Sequence, residues 1–350
     1  MREETPWLKA DYYDRFCCKG GRCRTSCCEG WEIAVNRADY FKLIGMDCSE
    51  EMHHRLECAF RVPREPSPER FRLISPNWLG VCPLHAEDGM CMLQRECGAQ
   101  ALPELCRVYP RSLKRVAGQN RACCSNSCEA VIEALMRPEK LRFTEGALCA
   151  APEYEEAPDP SRLELRQAAM DALEDEAAPL NVRMGNICRL LGESEFVPDP
   201  GRAEAGMRAL METLEDLCEG SESLKRACAP AFARYASPNS RAIDAYWEDA
   251  EALEARFPQW ARWFENILLN HFFYADMPFV DARLQPKDVC AGLCVLYGAM
   301  RALCAARCAQ TVARADLADG LAGLFHLIEH GAFYYNARIL ARAPEAMLAL

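Results

Sequence analysis

Several sequence signals are missing from this 350-residue chain, and each absence argues against a class of protein. There is no uninterrupted run of about 18 apolar residues, so we expect no membrane-spanning helix. The opening residues, MREETPWLKADYYDRF, are charged and lack an apolar stretch. This argues against a secretory signal and favours a cytoplasmic protein. The net charge of −11 argues against a broad basic surface for nucleic acid.

The familiar short motifs for metal and nucleotide binding are also missing. The chain has no C-x2-C knuckle of the zinc-ribbon type, no C-x3-C-x2-C motif of radical enzymes and no ferredoxin-like C-x2-C-x2-C run. It has no G-x-G-x-x-G after a strand, so no Rossmann-type site for a nucleotide cofactor is visible. Motif spacing alone therefore does not choose between zinc and an iron–sulfur cluster.

Cysteine, in contrast, is abundant. The chain has 22 cysteines, and 14 of them lie between Cys17 and Cys128. Disulfides are a poor explanation, because a chain of this length can form a core without them and cytosolic thiols stay reduced. The remaining explanations are a metal or cluster site, or buried cysteines acting as small apolar residues.

The spacing separates these two explanations along the chain. Cys290, Cys294, Cys304 and Cys308 form pairs one helical turn apart among apolar neighbours, so we expect them in a buried core. The N-terminal cysteines instead fall into three segments rich in turn residues, where thiolates could converge on one or two centres. These segments carry Cys17, Cys18, Cys23, Cys27 and Cys28; then Cys82, Cys91, Cys97 and Cys106; then Cys123, Cys124 and Cys128.

We predict a mainly α protein in two parts. Residues 1–150 contain many breaks and are expected to form an irregular cysteine-rich region with short strands near 31–35 and 71–74. The stretch 151–162 is rich in proline and glutamate and predicts a linker. Residues 151–350 carry the net negative charge and show apolar residues every three or four positions, which predicts an α-helical domain.

The segments RFCCKGGRCRTSCCEGWEI, CPLHAEDGMC, LCRVYPR and SNSCEA together resemble the flagellin lysine-N-methylase family. That family shares its cysteine pattern with small proteins described as zinc- or iron-chelating. Weaker resemblance continues at LLNHFFYADMPF and LIEHGAFYY. The cysteines that match the family pattern, and that the resemblance implies as metal ligands, are Cys18, Cys23, Cys27, Cys28, Cys82, Cys91, Cys106 and Cys128. Four further cysteines lie outside the pattern, namely Cys17, Cys97, Cys123 and Cys124.

The resemblance implies a lysine N-methyltransferase that transfers a methyl group from S-adenosylmethionine to a flagellin-type protein and carries a [4Fe–4S] cluster, with zinc as the alternative. A lysine must lose a proton before it attacks, so a base is needed. The candidate catalytic residues are Tyr109, His271, Tyr274, Glu329 and His330. Arg111 could grip a cofactor carboxylate or simply bond backbone carbonyls, and Trp31 could shield the metal from water.

Two other classes of function stay open at this point. A metal-chelating or carrier protein would need the cysteines but not a helical half of about 190 residues. A cluster-dependent redox enzyme acting on another peptide would account for the surplus thiols. The oligomeric state is not predicted.

Overall fold

The computed structural model describes residues 4–158, 160–219, 221–236, 242–310 and 313–350. Helices dominate these residues, so the expected mainly α class is confirmed. The α-helices are α1 Arg37–Ile44, α2 Glu50–Ala59, α3 Met92–Cys97, α4 Glu104–Val108, α5 Glu129–Leu135, α6 Pro160–Glu174, α7 Leu180–Leu190, α8 Ala203–Cys218, α9 Glu222–Tyr235, α10 Ala242–Arg256, α11 Trp260–Ala275, α12 Cys290–Cys308, α13 Arg314–His330 and α14 Phe333–Leu340.

The strands lie in the first half of the chain and form two sheets. They are β1 Thr5–Ala10, β2 Ile33–Val35, β3 Phe60–Arg61, β4 Arg72–Ile74, β5 Arg111–Val116, β6 Gln119–Cys124, β7 Phe143–Leu148 and β8 Tyr154–Glu156. One sheet has the order β7-β1-β6-β5-β8 and the other the order β2-β4-β3. The short strands expected near 31–35 and 71–74 are confirmed as β2 and β4.

The five-stranded sheet makes residues 1–150 more regular than the sequence indicated. Strand β1 pairs in parallel with β6 and antiparallel with β7, and both partners lie more than 100 residues away. Such pairing leaves little local signal, because each strand is short and its partners are distant. Strand β8 pairs with β5 and lies inside the stretch predicted to be a linker.

A tight hairpin joins β5 to β6 and sets the position of the third cysteine segment. Ala117 and Gly118 both have positive φ, 49° and 78°, and Val116 pairs with Gln119. A two-residue turn with positive φ at both positions matches the twist of the flanking strands. Strand β6 then ends at Cys124, so residues 125–128 follow directly at the end of a paired strand.

The second cysteine segment, with Cys28 of the first, surrounds a small apolar core of its own. This core is formed by buried side chains from the three-stranded sheet and helices α1 to α3, including Val35, Leu43, Leu56 and Leu93. Cys28, Cys91 and Cys106 pack against its edge. The thiols of this cysteine-rich region therefore lie beside a small apolar core.

The main core lies between the five-stranded sheet and the helices of the second half. Its central element is α12, where Cys290, Cys294, Cys304 and Cys308 are all buried, so their predicted core role is confirmed. The stretch Pro286–Cys308 is long and apolar enough to cross a membrane, but 94% of its apolar window is buried inside the fold. This is the pattern of a core helix.

The first cysteine segment docks onto the helical half through a glycine. Gly30 has φ +81°, and a Cβ there would lie 2.7 Å from the Ser223 hydroxyl of α9. Next to it, Glu29 forms an ion pair with Arg226 of α9, and the Glu29 carbonyl lies 3.2 Å from Nδ1 of His326 on α13. The cysteine segment is thus fixed against α9 and α13.

Candidate functional site

Five of the eight family-pattern cysteines line one cavity. Cys27, Cys28, Cys82, Cys91 and Cys106 surround a space of about 70 Å³, and the rest of the wall is mainly apolar. They come from the first and second segments, and Cys106 of the second segment lies on helix α4. The structure thus brings these five cysteines together, while their role as metal ligands stays a prediction.

Close backbone contacts bring the first two cysteine segments together. The Cys82 N–H donates to the Cys28 carbonyl at 2.7 Å. A Cβ on Gly89, which has φ +82°, would lie 2.4 Å from the Gly21 carbonyl oxygen, and one on Gly21 would lie 2.5 Å from the Asp88 carbonyl oxygen. Only glycine permits backbones to approach so closely. These glycines explain why the segments need turn residues between their thiols.

The other three cysteines lie beside this cavity, towards the start of α5. Burial, with smaller contributions from the nearby Cys23 and Cys18, raises the pKa of Cys128 to about 12. Burial and the neighbouring Glu129 raise the pKa of Cys23 to about 11. Cys128 also raises the pKa of Cys27, which lines the cavity, so the trio is close enough to the cavity thiols to interact electrostatically with them.

Among the cavity thiols, Cys28 is the one whose pKa is lowered, so its surroundings favour the thiolate form. Hydrogen bonds from Cys27 and then Cys82 hold the pKa of Cys28 far below its usual range, with help from the nearby His85. The same contacts raise the pKa of Cys82. Burial raises the pKa of Cys106 to about 12. A thiolate at Cys28 is the form in which cysteine ligates a metal.

The spacing of the eight thiols bears on which metal group they could hold. A single tetrahedral zinc needs ligand atoms roughly 4 Å apart. Within the described ranges, no three of the eight cysteines have sulfur atoms that all lie within 4.8 Å of one another. Sulfur-only donors with apolar walls around them suit an iron–sulfur cluster. Three or four of the eight cysteines could hold such a group, with Cys28 as the first thiolate.

Trp31 and Tyr109 line the cavity and connect it to the helical half. The Trp31 ring stacks on His330, with centroids 4.3 Å apart and planes 20° apart, and its Nε1 donates to the Cys27 carbonyl at 2.8 Å. The Tyr109 and Trp31 rings are 5.7 Å apart. Trp31 therefore lies where a shielding role was predicted.

Arg111 lies elsewhere. Its guanidinium packs over the rings of Phe16 and Tyr13, at 5.0 and 5.7 Å, and donates to the Phe16 carbonyl at 3.3 Å. It does not line the cysteine cavity. This placement corresponds to the second of its two predicted roles, the bonding of backbone carbonyls.

A buried turn, Ser125–Asn126–Ser127, lies at the centre of the site, and sequence reasoning missed it. Ser127 Oγ hydrogen-bonds with the Tyr109 hydroxyl at 2.9 Å and with His330 Nε2 at 2.7 Å. Ser125 Oγ and the Asn126 N–H donate to Glu329 Oε2 at 2.5 and 2.8 Å. The only sequence signal was the position of these polar residues between Cys124 and Cys128 in the segment SNSCEA.

The turn connects to a buried histidine–carboxylate pair. His271 Nδ1 lies 2.9 Å from Glu329 Oε1, and His271 Nε2 lies 2.8 Å from the Tyr334 hydroxyl. A Glu329 carboxylate can only accept, so Nδ1 carries the hydrogen and Nε2 accepts from Tyr334. The imidazole is thus held in one tautomer with a basic nitrogen facing a hydroxyl.

This pair lines a pocket of about 280 Å³ on the other side of the turn. Its wall includes His271, Tyr274, Glu329, Tyr334 and Lys114. The Lys114 ammonium donates to the Tyr274 carbonyl at 2.5 Å and to Asp276 at 3.2 Å, so it is engaged at the pocket wall. Burial raises the pKa of Tyr274, whose hydroxyl interacts with Ser125. All five predicted catalytic residues therefore belong to one hydrogen-bonded network, and their catalytic roles stay predictions.

The half-buried His330 gives a testable pH dependence. Burial lowers its pKa to about 4, whereas an unfolded histidine has a pKa of about 6.5. The unfolded chain therefore binds the proton more tightly between these values, and stability falls as the pH drops through this window. Between pH 7 and pH 5 we expect a loss of about 2 kcal/mol in the free energy of unfolding from this group.

Urea unfolding of wild type and His330→Asn at both pH values measures this effect. The pH-dependent loss should be smaller in the variant by about that amount, and the exposed His54→Asn should behave as wild type. An identical pH dependence in His330→Asn would show that His330 titrates normally in the folded protein.

The curated proteins that match this chain include lysine-N-methylases and a flagellar biosynthetic protein. Lysine-N-methylase of Salmonella typhimurium is 26% identical over 137 residues, which is 38% of this chain and 33% of that protein. Lysine-N-methylase of Salmonella choleraesuis matches to the same extent. The flagellar biosynthetic protein FliU of Salmonella muenchen is 25% identical over 127 residues, which is 73% of its length. The chain is therefore similar, at low identity, to proteins named lysine-N-methylase.

The match to these lysine-N-methylases spans about a third of their length. No protein-family model and no solved structure matches the chain. The resemblance to the lysine-N-methylase family is therefore confirmed at low identity, while the activity of the whole relatives does not transfer to this chain without a test.

Proposed function

We propose that the chain is a cytoplasmic protein lysine N-methyltransferase that acts on a flagellin-type substrate, with S-adenosylmethionine as methyl donor and a cysteine-ligated [4Fe–4S] cluster. The single observation that carries this proposal is the continuous network from the cysteine cavity, through the Ser125–Asn126–Ser127 turn, to the histidine–carboxylate pair in the pocket. The names of the curated relatives and the sulfur-only donor set support it.

The pocket has the groups that a lysine substrate requires. A lysine ammonium has no free electron pair, so one proton must leave before the nitrogen attacks a methyl group. Tyr334 offers a ring face and a hydroxyl, and Glu329 offers a negative charge nearby, whereas the Tyr274 ring already has the Lys114 ammonium 5.2 Å from its centroid. These groups would favour a cationic side chain in the pocket and hold it in one orientation, which lowers the barrier by positioning.

The proton can then leave along an existing chain of hydrogen bonds. The substrate ammonium would give its proton to the Tyr334 oxygen, while the Tyr334 hydroxyl proton moves to His271 Nε2 across 2.8 Å. The imidazolium that forms is stabilised by Glu329, to which Nδ1–H already donates. The neutral amine left in the pocket is the nucleophile.

Three of the eight cysteines would hold the cluster, which when bound could offer its fourth iron to the amino and carboxylate groups of S-adenosylmethionine. The protein's own contribution there is to exclude water. Trp31 covers the cavity by stacking on His330, and apolar side chains such as Ile33 and Leu93 form the walls. Low polarity around thiolates strengthens their interaction with a bound cation.

The test is a methylation assay with protein purified without oxygen and with its iron retained. The full chain is incubated with flagellin and S-adenosylmethionine carrying a deuterated methyl group, and flagellin peptides are analysed by mass spectrometry. We expect labelled methyl groups on flagellin lysines. Unlabelled flagellin, together with no saturable binding of S-adenosylmethionine by calorimetry, would favour a metal carrier instead. Full activity in an iron-free preparation would refute the cluster but not the methyl transfer.

A further inference from the structure

A second group of metal-ligating side chains lies away from the eight-cysteine set. Cys48 precedes α2, and Glu96 and Cys97 end α3. Their ligand atoms, two sulfurs and a carboxylate oxygen, all lie within 4.8 Å of one another. Cys97 is one of the cysteines outside the family pattern, and the proposed methyl transfer gives neither thiol a role. The two thiols are half-buried and the carboxylate is exposed, so an ion could reach them.

The spacing of this group suits one tetrahedral ion. With zinc–sulfur bonds of about 2.3 Å, two thiolates on one zinc lie roughly 3.8 Å apart, which is inside the observed limit. The Glu96 carboxylate is also held in place, because it accepts from the Ser49 N–H at 2.6 Å and from the Ser49 hydroxyl at 3.1 Å. Such bonds around a ligand orient it towards the ion and raise its affinity.

The charged groups beside Cys48 and Cys97 are carboxylates. The carboxylates of Glu96 and Asp47 both lie close enough to the two thiols to interact electrostatically with them. Among the described residues, neither carboxylate lies within 4.0 Å of a Lys, Arg or His nitrogen. Negative groups gathered without a cation repel one another, and a bound divalent cation would remove that repulsion.

We propose that Cys48, Glu96 and Cys97 bind one thiophilic divalent cation, Zn²⁺, with a water molecule as the fourth ligand. Each thiol loses its proton to solvent when the ion binds, so the two sulfur bonds form as thiolates. The site is separate from the cysteine cavity and stands whether or not the methyl-transfer proposal holds.

The position of the site gives it a structural role. Cys91 is the residue immediately before α3 and lines the cysteine cavity, whereas Cys97 is the last residue of the same helix. The cation would tie the end of α3 to the start of α2, at the edge of the small core that supports the cavity. The bound ion would therefore restrict how far Cys91 can move.

The test measures zinc in the full chain, with iron as an internal control. Wild type, Cys48→Ser with Cys97→Ser, and the matched control Cys58→Ser are each equilibrated with Zn²⁺ and then dialysed against a weak chelator. Cys58 is an exposed cysteine on α2 outside the group. We expect the double variant to hold one zinc fewer per chain than wild type and Cys58→Ser, with the same iron in all three.

A single variant guards against misfolding of the double one. Glu96→Gln keeps both thiols and the approximate shape, and we expect it to bind zinc at least about tenfold more weakly than wild type. Equal zinc content in wild type and in a folded double variant would overturn the proposal. So would a Cys48–Cys97 disulfide, found by mass spectrometry in protein purified without oxygen.

Discussion

Replacing Cys28 and Cys82 together with serine is expected to remove the metal from the cysteine cavity and to destabilise residues 15–106 severely. Cys28 is the thiol that ionises first, because it receives hydrogen bonds from both Cys27 and Cys82. The two cysteines also meet through a backbone hydrogen bond that joins the first two cysteine segments. Serine keeps the size but not the soft donor.

The expected loss is large because metal binding also supplies folding energy here. A structural metal site contributes on the order of 10 kcal/mol to a small metal-dependent region, and the apolar core that supports this cavity is small. The iron content, the sulfide content, the visible absorbance and the thermal unfolding midpoint are all expected to be lower in the double variant. The matched control is Cys17→Ser, which changes an exposed cysteine of the same segment that lies outside the family pattern.

Unchanged iron in a folded double variant would refute the assignment of these two ligands. Zinc in place of iron in the wild type would refute the cluster while leaving the convergence of the cysteines intact.

His271→Asn is expected to lower kcat for lysine methylation by roughly 10²- to 10⁴-fold with little change in KM for the protein substrate. The amide can still donate a hydrogen bond towards Glu329, but it lacks the basic nitrogen that faces Tyr334. Binding of the substrate depends on the pocket walls, most of which remain. The loss should therefore fall on the chemical step and not on binding.

The matched control for this variant is His54→Asn, an exposed histidine on α2. Because His271 is fully buried, each variant is first checked for wild-type iron content and near-ultraviolet circular dichroism. A folded His271→Asn protein that methylates at the wild-type rate would show that the base is another group, and His330 and Tyr109 would then be the next residues to test.

The sequence predicted the parts of the molecule whose signals are local. Apolar residues at helical spacing identified the helices after residue 160, and the paired cysteines of α12 are buried as their spacing indicated. The strands of the five-stranded sheet were missed because β1, β6 and β7 find their partners across more than 100 residues. A short strand with distant partners shows no periodicity of its own.

The candidate site was only partly predictable for the same reason. The family resemblance picked out residues from both halves, such as Tyr109 and His330, but their meeting depends on the docking of the Glu29–Gly30 segment against α9 and α13. The serines of the central turn carry no chemical signature in sequence, since Ser-Asn-Ser is an ordinary turn composition. Their role becomes visible only where they are buried between Tyr109 and Glu329.

Ser127 and Cys128 are neighbours in the chain, so insertion of a metal centre at Cys128 would affect the hydrogen bonds of Ser127. Under the proposed assignment, the Cys128 sulfur would gain its bond to the inorganic centre only when that centre is inserted. Ser127 carries the hydrogen bonds to Tyr109 and His330 through the same stretch of backbone. A chain without its metal centre would then have a less ordered hydrogen-bond network beside the substrate pocket. It would be inactive towards substrate until the centre had been inserted.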